Sequence, residues 1–354
     1  MSTDKPFWLV TGGTGLVGSH VCERAVSEGR QVRALVRPGS DRRFLESLGV
    51  EIVTGDLNQP DTLRAESGAL FRGVTHLVHC AAKVGDWGPV SDYQRDNVGG
   101  LQNLLAAIPK SPRPLHVVHI STLGVYPARD HHQTDESTPV NVGGIDGYTR
   151  SKVETELALL EHLRSSKTTA VLLRPGFIYG PRDRTVIPRL VDRIRSGKFA
   201  FLGSGEALMN NTFVGNLIDA VFLAADRPDL SGEAFNITDG RFVSKREFVE
   251  AVCRHAGLPM PTRHVPAAVA RVLASALETV WRGLGRTAPP PLSRAAVKFL
   301  GFNLDYSIAK ARKLLAYDPS VDFQDGMAIA LAGGTGAPVL STSETGAGSR
   351  RASA

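Results

Sequence analysis

The chain of 354 residues has little cysteine, and this scarcity limits its chemistry. Its three cysteines, Cys22, Cys80 and Cys253, show neither the pairing of a disulfide framework nor the close spacing of metal ligands. No grouping of histidine, cysteine and carboxylate residues has metal-ligand spacing either, so we expect no metal site. A chain without disulfides suits a reducing compartment, and we predict a cytoplasmic protein.

The sequence also lacks blocks of like charge and long apolar runs. Its 41 basic and 35 acidic side chains leave a net charge of +6, but no basic stripe alternates with aromatic residues, which argues against nucleic-acid binding. The run Phe7 to Val10 is too short for a signal peptide. Charges at Arg271, Glu278 and Arg282 interrupt the stretch Val265 to Leu284, so we expect no transmembrane segment. Peripheral membrane contact through that stretch stays open.

Strand-like and helix-like segments alternate through the first half of the chain. This alternation predicts βαβ units and a doubly wound parallel sheet of the Rossmann type, and runs such as Val117-Val118 suit strands that are buried on both faces. The predicted strands are Phe7 to Val10, Gln31 to Val36, Glu51 to Thr54, His76 to Cys80, His116 to Ser121 and Ala170 to Arg174.

Beyond Pro175 the pattern becomes rich in helices and is broken by prolines. We therefore expect residues 1–175 to form a dinucleotide-binding domain, to which 212–240 return as core elements. Residues 176–211 and 241–332 are expected to form a smaller, helix-rich substrate-binding portion. The stretch 333–354 is rich in Gly, Ser, Thr and Ala and nearly devoid of large apolar residues, which predicts a disordered tail.

A glycine-rich turn follows the first predicted strand and opens the first helix. Strand, turn and helix in this order are the context that a dinucleotide-binding fingerprint requires, although an ordinary tight turn is the alternative. Gly15 lets the backbone approach a pyrophosphate, and Gly18 lets the helix pack on the strand. We predict a cofactor-binding loop. Its residues are Gly12, Gly13, Thr14, Gly15, Leu16, Val17 and Gly18.

Tyr148 and Lys152 are four residues apart, so both lie on one face of a helix. A free phenol has a pKa of about 10, but an adjacent ammonium and an oxidised nicotinamide ring both favour the phenolate. Lowering that pKa by roughly three units needs about 4 kcal/mol. We predict that Tyr148 is an acid/base whose pKa Lys152 lowers; a surface helix pair is the alternative.

Together these motifs resemble the extended short-chain dehydrogenases/reductases, which include NAD-dependent epimerases and dehydratases, and the resemblance covers roughly Phe7 to Leu331. In that family a Ser or Thr in a segment ending in Val-Tyr polarises the substrate oxygen. The corresponding segment here ends at Tyr126, and its spacing assigns the role to Thr122, with Ser121 as the alternative. The resemblance also implies that Lys152 contacts the nicotinamide ribose.

Further motifs of the family imply further contacts with the cofactor. The segment 55–57 resembles the family segment that contacts the adenine. The segment 79–83 and the motif that begins at Asn97 resemble segments that line the cofactor. The segment 174–180 resembles the one that lies beside the nicotinamide. The residues so assigned are Asp56, Leu57, Cys80, Ala81, Ala82, Lys83, Asn97, Pro175, Gly176, Phe177 and Ile178.

The chain departs from the family pattern at the end of the second strand. An acid normally stands there, accepts hydrogen bonds from the ribose 2′-OH and so selects NAD, but this chain has Val36 followed by Arg37. We therefore predict NADP, with NAD as the alternative. Arg37 is expected to bind the 2′-phosphate, and Arg42 and Arg43 to assist it.

A second departure lies at Asn210 to Asn216, where nucleotide-sugar enzymes usually show an Arg-Asp pair and then an acid. The form found here, like residues 85–88, resembles the branch with 3β-hydroxysteroid dehydrogenases and bacterial 2-alkyl-3-oxoalkanoate reductases. This implies an apolar pocket, although simple core packing is the alternative for each wall residue. The predicted walls are Trp87, Phe177, Phe201, Leu202 and Met209. His131 and His132 are expected in a polar loop before the catalytic helix.

Three functions compete on this evidence. The first is an NAD(P)-dependent oxidoreductase that interconverts a secondary alcohol and a ketone on a hydrophobic, steroid-like or β-keto/β-hydroxy lipid substrate. The second is a nucleotide-sugar epimerase or dehydratase, and the third is a non-catalytic nucleotide-binding protein. Members of the resembling family are often dimers, so a homodimer stays open.

Overall fold

The computed structural model describes residues 6–109, 114–286 and 288–332, and the predicted disordered tail, 333–354, lies outside them. Strands β1 to β13 are, in chain order, Phe7–Thr11, Gln31–Val36, Glu51–Thr54, His76–His79, His116–Ile120, His131–Thr134, Thr169–Pro175, Phe177–Tyr179, Phe201–Leu202, Asn211–Phe213, Ala234–Ile237, His264–Val265 and Leu304–Tyr306.

Helices cover the strands and build most of the C-terminal half. Helices α1 to α13 are, in chain order, Leu16–Ser27, Arg43–Ser47, Pro60–Leu70, Val90–Tyr93, Gly100–Ala106, Gly147–Ser165, Val186–Arg195, Val214–Ala225, Lys245–Ala256, Ala267–Gly283, Arg294–Gly301, Ala309–Leu315 and Phe323–Ala332. A π-helix, Gln94–Gly99, joins α4 to α5, and 3₁₀ turns lie at Leu123–Val125 and Pro228–Leu230.

The main sheet contains seven parallel strands in the order β3-β2-β1-β4-β5-β7-β11. Alternate residues of β1 enter different cores: Trp8 and Val10 pack in the core that includes α1 and α8, whereas Leu9 packs in the core that includes α3, α5 and α6. A sheet buried on both faces explains why its strands read as apolar runs. The predicted doubly wound α/β fold is confirmed, and the six predicted strands differ from the observed ones by at most one residue at either end.

The order in which strands are added to the sheet reverses at β1. Strands β2 and β3 lie on one side of β1, and β4, β5 and β7 lie on the other. In doubly wound sheets a ligand binds outside the carboxyl ends of the strands at such a switch point. The topology therefore brings the glycine turn after β1 and the loop after β4 to the same crevice.

The segment 212–240 contributes strands to two different sheets. Strand β11, Ala234–Ile237, joins the main sheet beside β7, and helix α8 packs on that sheet. Strand β10, Asn211–Phe213, instead pairs with β8 in a separate two-stranded sheet. The short strands β8 and β10 thus pair with each other and not with the main sheet.

His131 and His132 do not lie in a loop, so that prediction is wrong. Both belong to β6, which pairs with β13 from the far end of the chain. His131 is buried, stacks on Tyr306 at 4.5 Å and hydrogen-bonds the carbonyl of Pro127. The strand that pairs with β6 lies about 170 residues further along the chain. The polar residues around His131 therefore could not predict this pairing.

None of the helices in the described ranges combines the length and apolar character that crossing a membrane requires.

Candidate active site

The glycine turn has the shape that a dinucleotide requires. Gly12 has a φ of +72°, and a Cβ atom there would lie 2.7 Å from the backbone nitrogen of Ala81 in the loop after β4. Gly15 caps α1 without a side-chain acceptor, and the first turn of α1 carries no acidic residue. The N–H groups at the start of α1 are thus left for an anion, and the residues present fit a pyrophosphate.

A cavity of about 1150 Å³ opens beside this turn. Typical small-molecule sites occupy about 300–1,000 Å³, so the space suits a large ligand or two ligands together. The cavity brings together these predicted site residues: Gly12, Gly13, Thr14, Gly15, Leu16, Val17, Gly18, Cys80, Ala82, Thr122, Tyr148, Gly176, Phe177 and Ile178. The predicted site residues outside its lining are Arg37, Asp56, Leu57, Ala81, Lys83, Trp87, Asn97, Ser121, Lys152, Pro175, Phe201 and Met209.

Tyr148 stands in the first turn of α6 and faces the cavity. Asp146 caps this helix: its carboxylate accepts a hydrogen bond from the Thr149 nitrogen at 2.7 Å, and the Thr149 hydroxyl accepts one from the Asp146 backbone nitrogen at 3.4 Å. Such a capping box holds the start of the helix in place. The Tyr148 phenol shares a hydrogen bond with the Thr122 hydroxyl, and burial raises its pKa to about 12.

Lys152 lies one turn further along α6 and is buried. Its Nζ donates to the carbonyl oxygen of Ile120 at 2.6 Å, and burial lowers its pKa to about 8 while Glu156 opposes that change. Burial is the largest influence on the Tyr148 phenol in this structure and raises its pKa, whereas a lowering by Lys152 together with a nicotinamide ring stays a prediction. The Lys152 ammonium holds the end of β5, which leads directly into Ser121 and Thr122.

The two adjacent hydroxyls after β5 have different surroundings. Ser121 is buried, and its hydroxyl donates to the carboxylate of Glu156. That carboxylate also receives two hydrogen bonds from the Arg174 guanidinium, at 3.0 and 2.7 Å. Thr122, by contrast, lines the cavity, and its oxygen accepts from the nitrogen of Gly124 at 3.0 Å. The geometry thus places Thr122 beside Tyr148 and occupies Ser121 in a buried ion-pair network.

Asn97 supports the loop after β4 from behind. It lies in the π-helix, accepts from the Lys83 nitrogen at 2.6 Å, and donates to the Lys83 carbonyl at 3.1 Å and to the Ser151 hydroxyl at 2.8 Å. π-helical turns are rare and occur often at functional sites. Here the turn ties the cofactor-side loop to α6. The Lys83 ammonium points away from the cavity, toward Asp92 at 3.2 Å.

Several arginines surround the end of the cavity near α2. Arg43 lines it and pairs with Asp41 at 2.7 Å, and Arg42 pairs with Glu46 at 2.8 Å. Arg37 is exposed and has no carboxylate partner within the described ranges. Sequence reasoning missed three further arginines that line the cavity from the loop before α7 and from α7 itself. These are Arg182, Arg184 and Arg189.

The predicted apolar walls are partly wrong. Phe177 lines the cavity and packs on Phe299 at 5.0 Å. Phe201 and Met209 are buried core residues, and Leu202 packs in a separate cluster with α10 and α11. Trp87 lies outside the cavity and donates its indole N–H to the Arg286 carbonyl at 3.3 Å. Core packing thus accounts for Phe201, Leu202 and Met209, because their side chains turn away from the crevice.

The remaining walls come from α11 and β13, which sequence reasoning missed. Phe299, Leu304 and Tyr306 supply apolar surface, and Lys298 reaches across to donate to the carbonyls of Gly124 and Tyr126 at 2.8 and 2.9 Å. The C-terminal portion thus clamps the turn that follows Thr122. The alternation of apolar and polar residues in Arg294–Gly301 signals an amphipathic helix but not the surface on which it packs.

Known proteins resemble this chain over most of its length. The sequence model of the NAD dependent epimerase/dehydratase family matches residues 8–238. A 4-hydroxy-2-methyl-3-oxo-4-farnesyl-3,4-dihydroquinoline-1-oxide ketoreductase of Stigmatella aurantiaca is 33% identical over 320 residues, which cover 90% of this chain and 94% of that protein. A 2-alkyl-3-oxoalkanoate reductase of Shewanella oneidensis is 31% identical over 333 residues, which cover 90% and 84% respectively.

The fold recurs in solved structures. The crystal structure of gox2253 matches with a TM-score of 0.77 at 29% identity, covering 93% of this chain and 97% of that one. The family predicted from the motifs is confirmed, and so is the prediction of an enzyme, since the matched relatives are reductases. The chain therefore belongs to the NAD dependent epimerase/dehydratase family and is an NAD(P)-dependent enzyme of the extended short-chain dehydrogenase/reductase type.

Proposed function

We propose that this enzyme interconverts a ketone and a secondary alcohol on a bulky hydrophobic substrate. The observation that carries the proposal is the position of the Tyr148 and Thr122 hydroxyls, which face a cavity whose substrate end is walled by Phe177, Phe299 and Leu304. The reductase relatives support the reaction class, because both are named for substrates that carry a ketone. A β-keto or β-hydroxy lipid, or a steroid-like molecule, fits such walls.

The chemistry of reduction needs one hydride and one proton. When bound, a nicotinamide cofactor would supply the hydride for the new C–H bond at the carbonyl carbon. Tyr148 gives its phenolic proton to the carbonyl oxygen, and the raised pKa keeps that proton in place at neutral pH until oxygen charge develops. Thr122 holds the same oxygen by a hydrogen bond, and solvent returns the proton to the phenolate after product leaves. Oxidation reverses these steps.

Lys152 and the glycine turn are assigned to cofactor binding in this proposal. The Nζ of Lys152 lies at the carbonyl of Ile120 and carries further N–H groups for a ribose hydroxyl. Gly176 and Phe177 hold the nicotinamide end, where β8 runs beside β10. We assign 1–175 with 212–240 to the cofactor, and 176–211 with 241–332 to the substrate.

Cofactor choice is proposed to favour NADP(H). Val36 is a buried residue at the end of β2, so no carboxylate occupies the place that selects the 2′-hydroxyl. Of Arg37, Arg42 and Arg43, the latter two are paired with Glu46 and Asp41, which leaves the Arg37 guanidinium for a phosphate. Charge-assisted hydrogen bonds of this kind are about twice as strong as neutral ones.

An epimerase or dehydratase acting on nucleotide sugars has less support. Asn210 and Asn211 stand where such enzymes carry their charged anchor, and Asn211 donates to the buried carboxylate of Asp239 at 2.8 Å. Asn210 lines the cavity, and its side-chain oxygen has no hydrogen-bond partner within the described ranges. That oxygen suits a substrate hydroxyl better than a diphosphate.

The experiment is a turnover screen with both cofactors against steroid, β-keto acid and nucleotide-sugar panels, followed by Tyr148→Phe. We expect turnover of a hydrophobic ketone or alcohol, and a loss of at least about a hundredfold in kcat in the variant with cofactor affinity retained, because only one proton donor is removed. Tyr93→Phe is the matched control, since its hydroxyl donates to the Trp87 carbonyl at 2.9 Å outside the cavity. Turnover of nucleotide sugars alone, or an active Tyr148→Phe, contradicts the proposal.

A further inference from the structure

Helix α10 exposes a stripe of apolar side chains. Its inward side, which includes Ala270, Ala274 and Glu278, packs on the protein, whereas a different side faces outward. Of the eleven large hydrophobic residues exposed in the described part of the chain, five belong to α10 or to its C-cap, and successive ones are three to seven residues apart, except the adjacent pair in the middle. They are Val269, Val272, Leu273, Val280 and Leu284, with exposures of 47% to 73%. A stripe of this size on one helix calls for a partner.

The segment around this stripe carries a net positive charge, although Glu278 pairs with Arg282 at 3.3 Å. Residues 263–286 contain four arginines, at 263, 271, 282 and 286, and a single acid, Glu278. All four arginines are exposed, while Glu278 is buried and accepts a hydrogen bond from the Arg294 nitrogen at 2.6 Å. The stripe is therefore bordered by positive charge with no exposed carboxylate on the same segment.

The stripe adjoins the wall of the substrate cavity. Helix α10 packs on α11, whose Ala295 and Phe299 line the cavity. At its other end, the Arg282 guanidinium lies 5.6 Å from the centre of the Trp87 ring, which follows cavity-lining residues of the loop 84–86. Val84 in that loop is itself 64% exposed. A single surface thus runs from α10 to the entrance of the cavity.

We propose that α10 docks this enzyme on a lipid surface with anionic headgroups, so that apolar substrates enter the cavity from the lipid. Helices that lie in a membrane interface combine one apolar side with arginines or lysines on the other, as α10 does. Its 17 residues span about 26 Å, which suits a helix lying flat. A second copy of the chain is a poorer occupant, because two identical surfaces would bring the same arginines together. The delivery of substrate, unlike the docking itself, rests on the proposed function.

The test is sedimentation of the full-length protein with vesicles of phosphatidylcholine alone, or of equal parts phosphatidylcholine and phosphatidylglycerol. We expect at least tenfold tighter binding to the anionic vesicles. The double variants Val272→Ser/Leu284→Ser and Arg271→Gln/Arg286→Gln should each lose at least tenfold of it. The matched control Val142→Ser/Leu157→Ser removes apolar groups that are exposed elsewhere, at 61% and 46%, and should bind like wild type.

Equal binding by wild type and the α10 variants, or no binding by wild type, overturns the proposal. So does a wild-type dimer, seen in analytical ultracentrifugation without lipid, that the Val272→Ser/Leu284→Ser variant loses. Because all substituted side chains are exposed, unchanged thermal unfolding shows that the variants fold. Tyr148→Phe should bind vesicles like wild type. Vesicle binding therefore tests the docking proposal, and turnover separately tests the proposed function.

Discussion

Tyr148 and Lys152 show opposite pKa shifts with one cause. Burial disfavours the charged form of each, which raises the pKa of the phenol to about 12 and lowers the pKa of the ammonium to about 8. The phenol therefore keeps its proton across the neutral range, while the lysine begins to lose its own only slightly above that range.

The Thr122 hydroxyl is predicted to bind the substrate oxygen, whereas the Ser121 hydroxyl is predicted to stabilise the fold. Thr122→Val keeps the shape and removes the hydrogen bond to the substrate oxygen, so kcat should fall by about a hundredfold or more. The lost bond from the Gly124 nitrogen should lower the free energy of unfolding by only about 0.5–1.5 kcal/mol. Ser121→Ala removes a donor to buried Glu156, so the free energy of unfolding should fall by about 1–3 kcal/mol while kcat changes little. Steady-state kinetics and urea unfolding of both variants separate the two roles, and the reverse pattern would assign Ser121 to the substrate.

Arg37 is predicted to decide between the two cofactors. A charge-assisted hydrogen bond contributes about 1.5–3 kcal/mol, so Arg37→Gln should weaken NADP(H) binding by tenfold to somewhat over a hundredfold and leave NAD(H) unchanged. Arg43→Gln is the matched control, because that guanidinium is already paired with Asp41. Titration of both cofactors against wild type comes first: tighter binding of NAD(H) would refute the assignment.

At the scale of the element, α6 carries the proposed catalytic residues Tyr148 and Lys152 together with a buried ion pair. Glu156 is one turn beyond Lys152 and holds Arg174 of β7, and both side chains are at most 9% exposed. This pair joins the helix to the strand, while the capping box of Asp146 fixes the helix start. The start of α6 and the turn that contains Glu156 are therefore held in place by separate interactions.

The Glu156–Arg174 pair is predicted to be costly to break. Glu156→Gln leaves the Arg174 charge buried without its counter-ion, and this should cost about 3–5 kcal/mol in the free energy of unfolding. Glu161→Gln on the same helix is the matched control, because its pair with Arg164 is exposed and should contribute at most about 1 kcal/mol. Urea unfolding measures both variants. An equal loss in the free energy of unfolding would show that the buried pair stabilises the fold no more than the exposed pair does.

At the scale of the whole molecule, buried histidines predict acid sensitivity. Burial is the main cause that lowers the pKa of His20 and His76 to about 4 and of His79 to about 3. As the pH falls below about 6.5, the unfolded chain binds protons that the folded chain does not. The histidines should therefore make the free energy of unfolding fall between about pH 6.5 and 4 and should contribute no change above pH 6.5. Each such histidine should contribute up to roughly 1.4 kcal/mol to this fall for every step of one in pH. Above about pH 8 the free energy of unfolding should rise, because burial lowers the pKa of Lys152, Lys245 and Lys298 to about 8.

His119 offers a variant for this test. It is fully buried, stacks on His79 at 5.4 Å, and neither ring nitrogen has a partner within the described residues. His119→Phe keeps the stack and removes one titrating group, so the loss of stability between pH 7.5 and 5.5 in urea unfolding should become smaller. Exposed His255→Phe is the control and should leave that loss unchanged. An unaltered pH dependence in His119→Phe would exclude His119 as a source of acid sensitivity.

Local patterns in the sequence were sufficient for the fold class, the strands of the main sheet and the family, because apolar runs, a glycine turn and a pair at helical spacing depend only on nearby residues. Tertiary structure alone decided which way side chains face. Phe201 and Met209 were as apolar as Phe177, yet only Phe177 reaches the cavity. The same holds for the hydroxyls of Ser121 and Thr122, which are adjacent in sequence and turn to different partners.

Long-range pairing decided the rest. β6 exists because β13 lies beside it, and the substrate end of the cavity is closed by α11 and β13, which follow Thr122 by more than 170 residues. A residue's own neighbours in sequence specify its backbone preference and its polarity. They do not specify which distant element will cover it, because that contact is made only when the whole chain has packed. The sequence by itself therefore determined the fold class and the family, and the tertiary structure determined which side chains meet in the cavity.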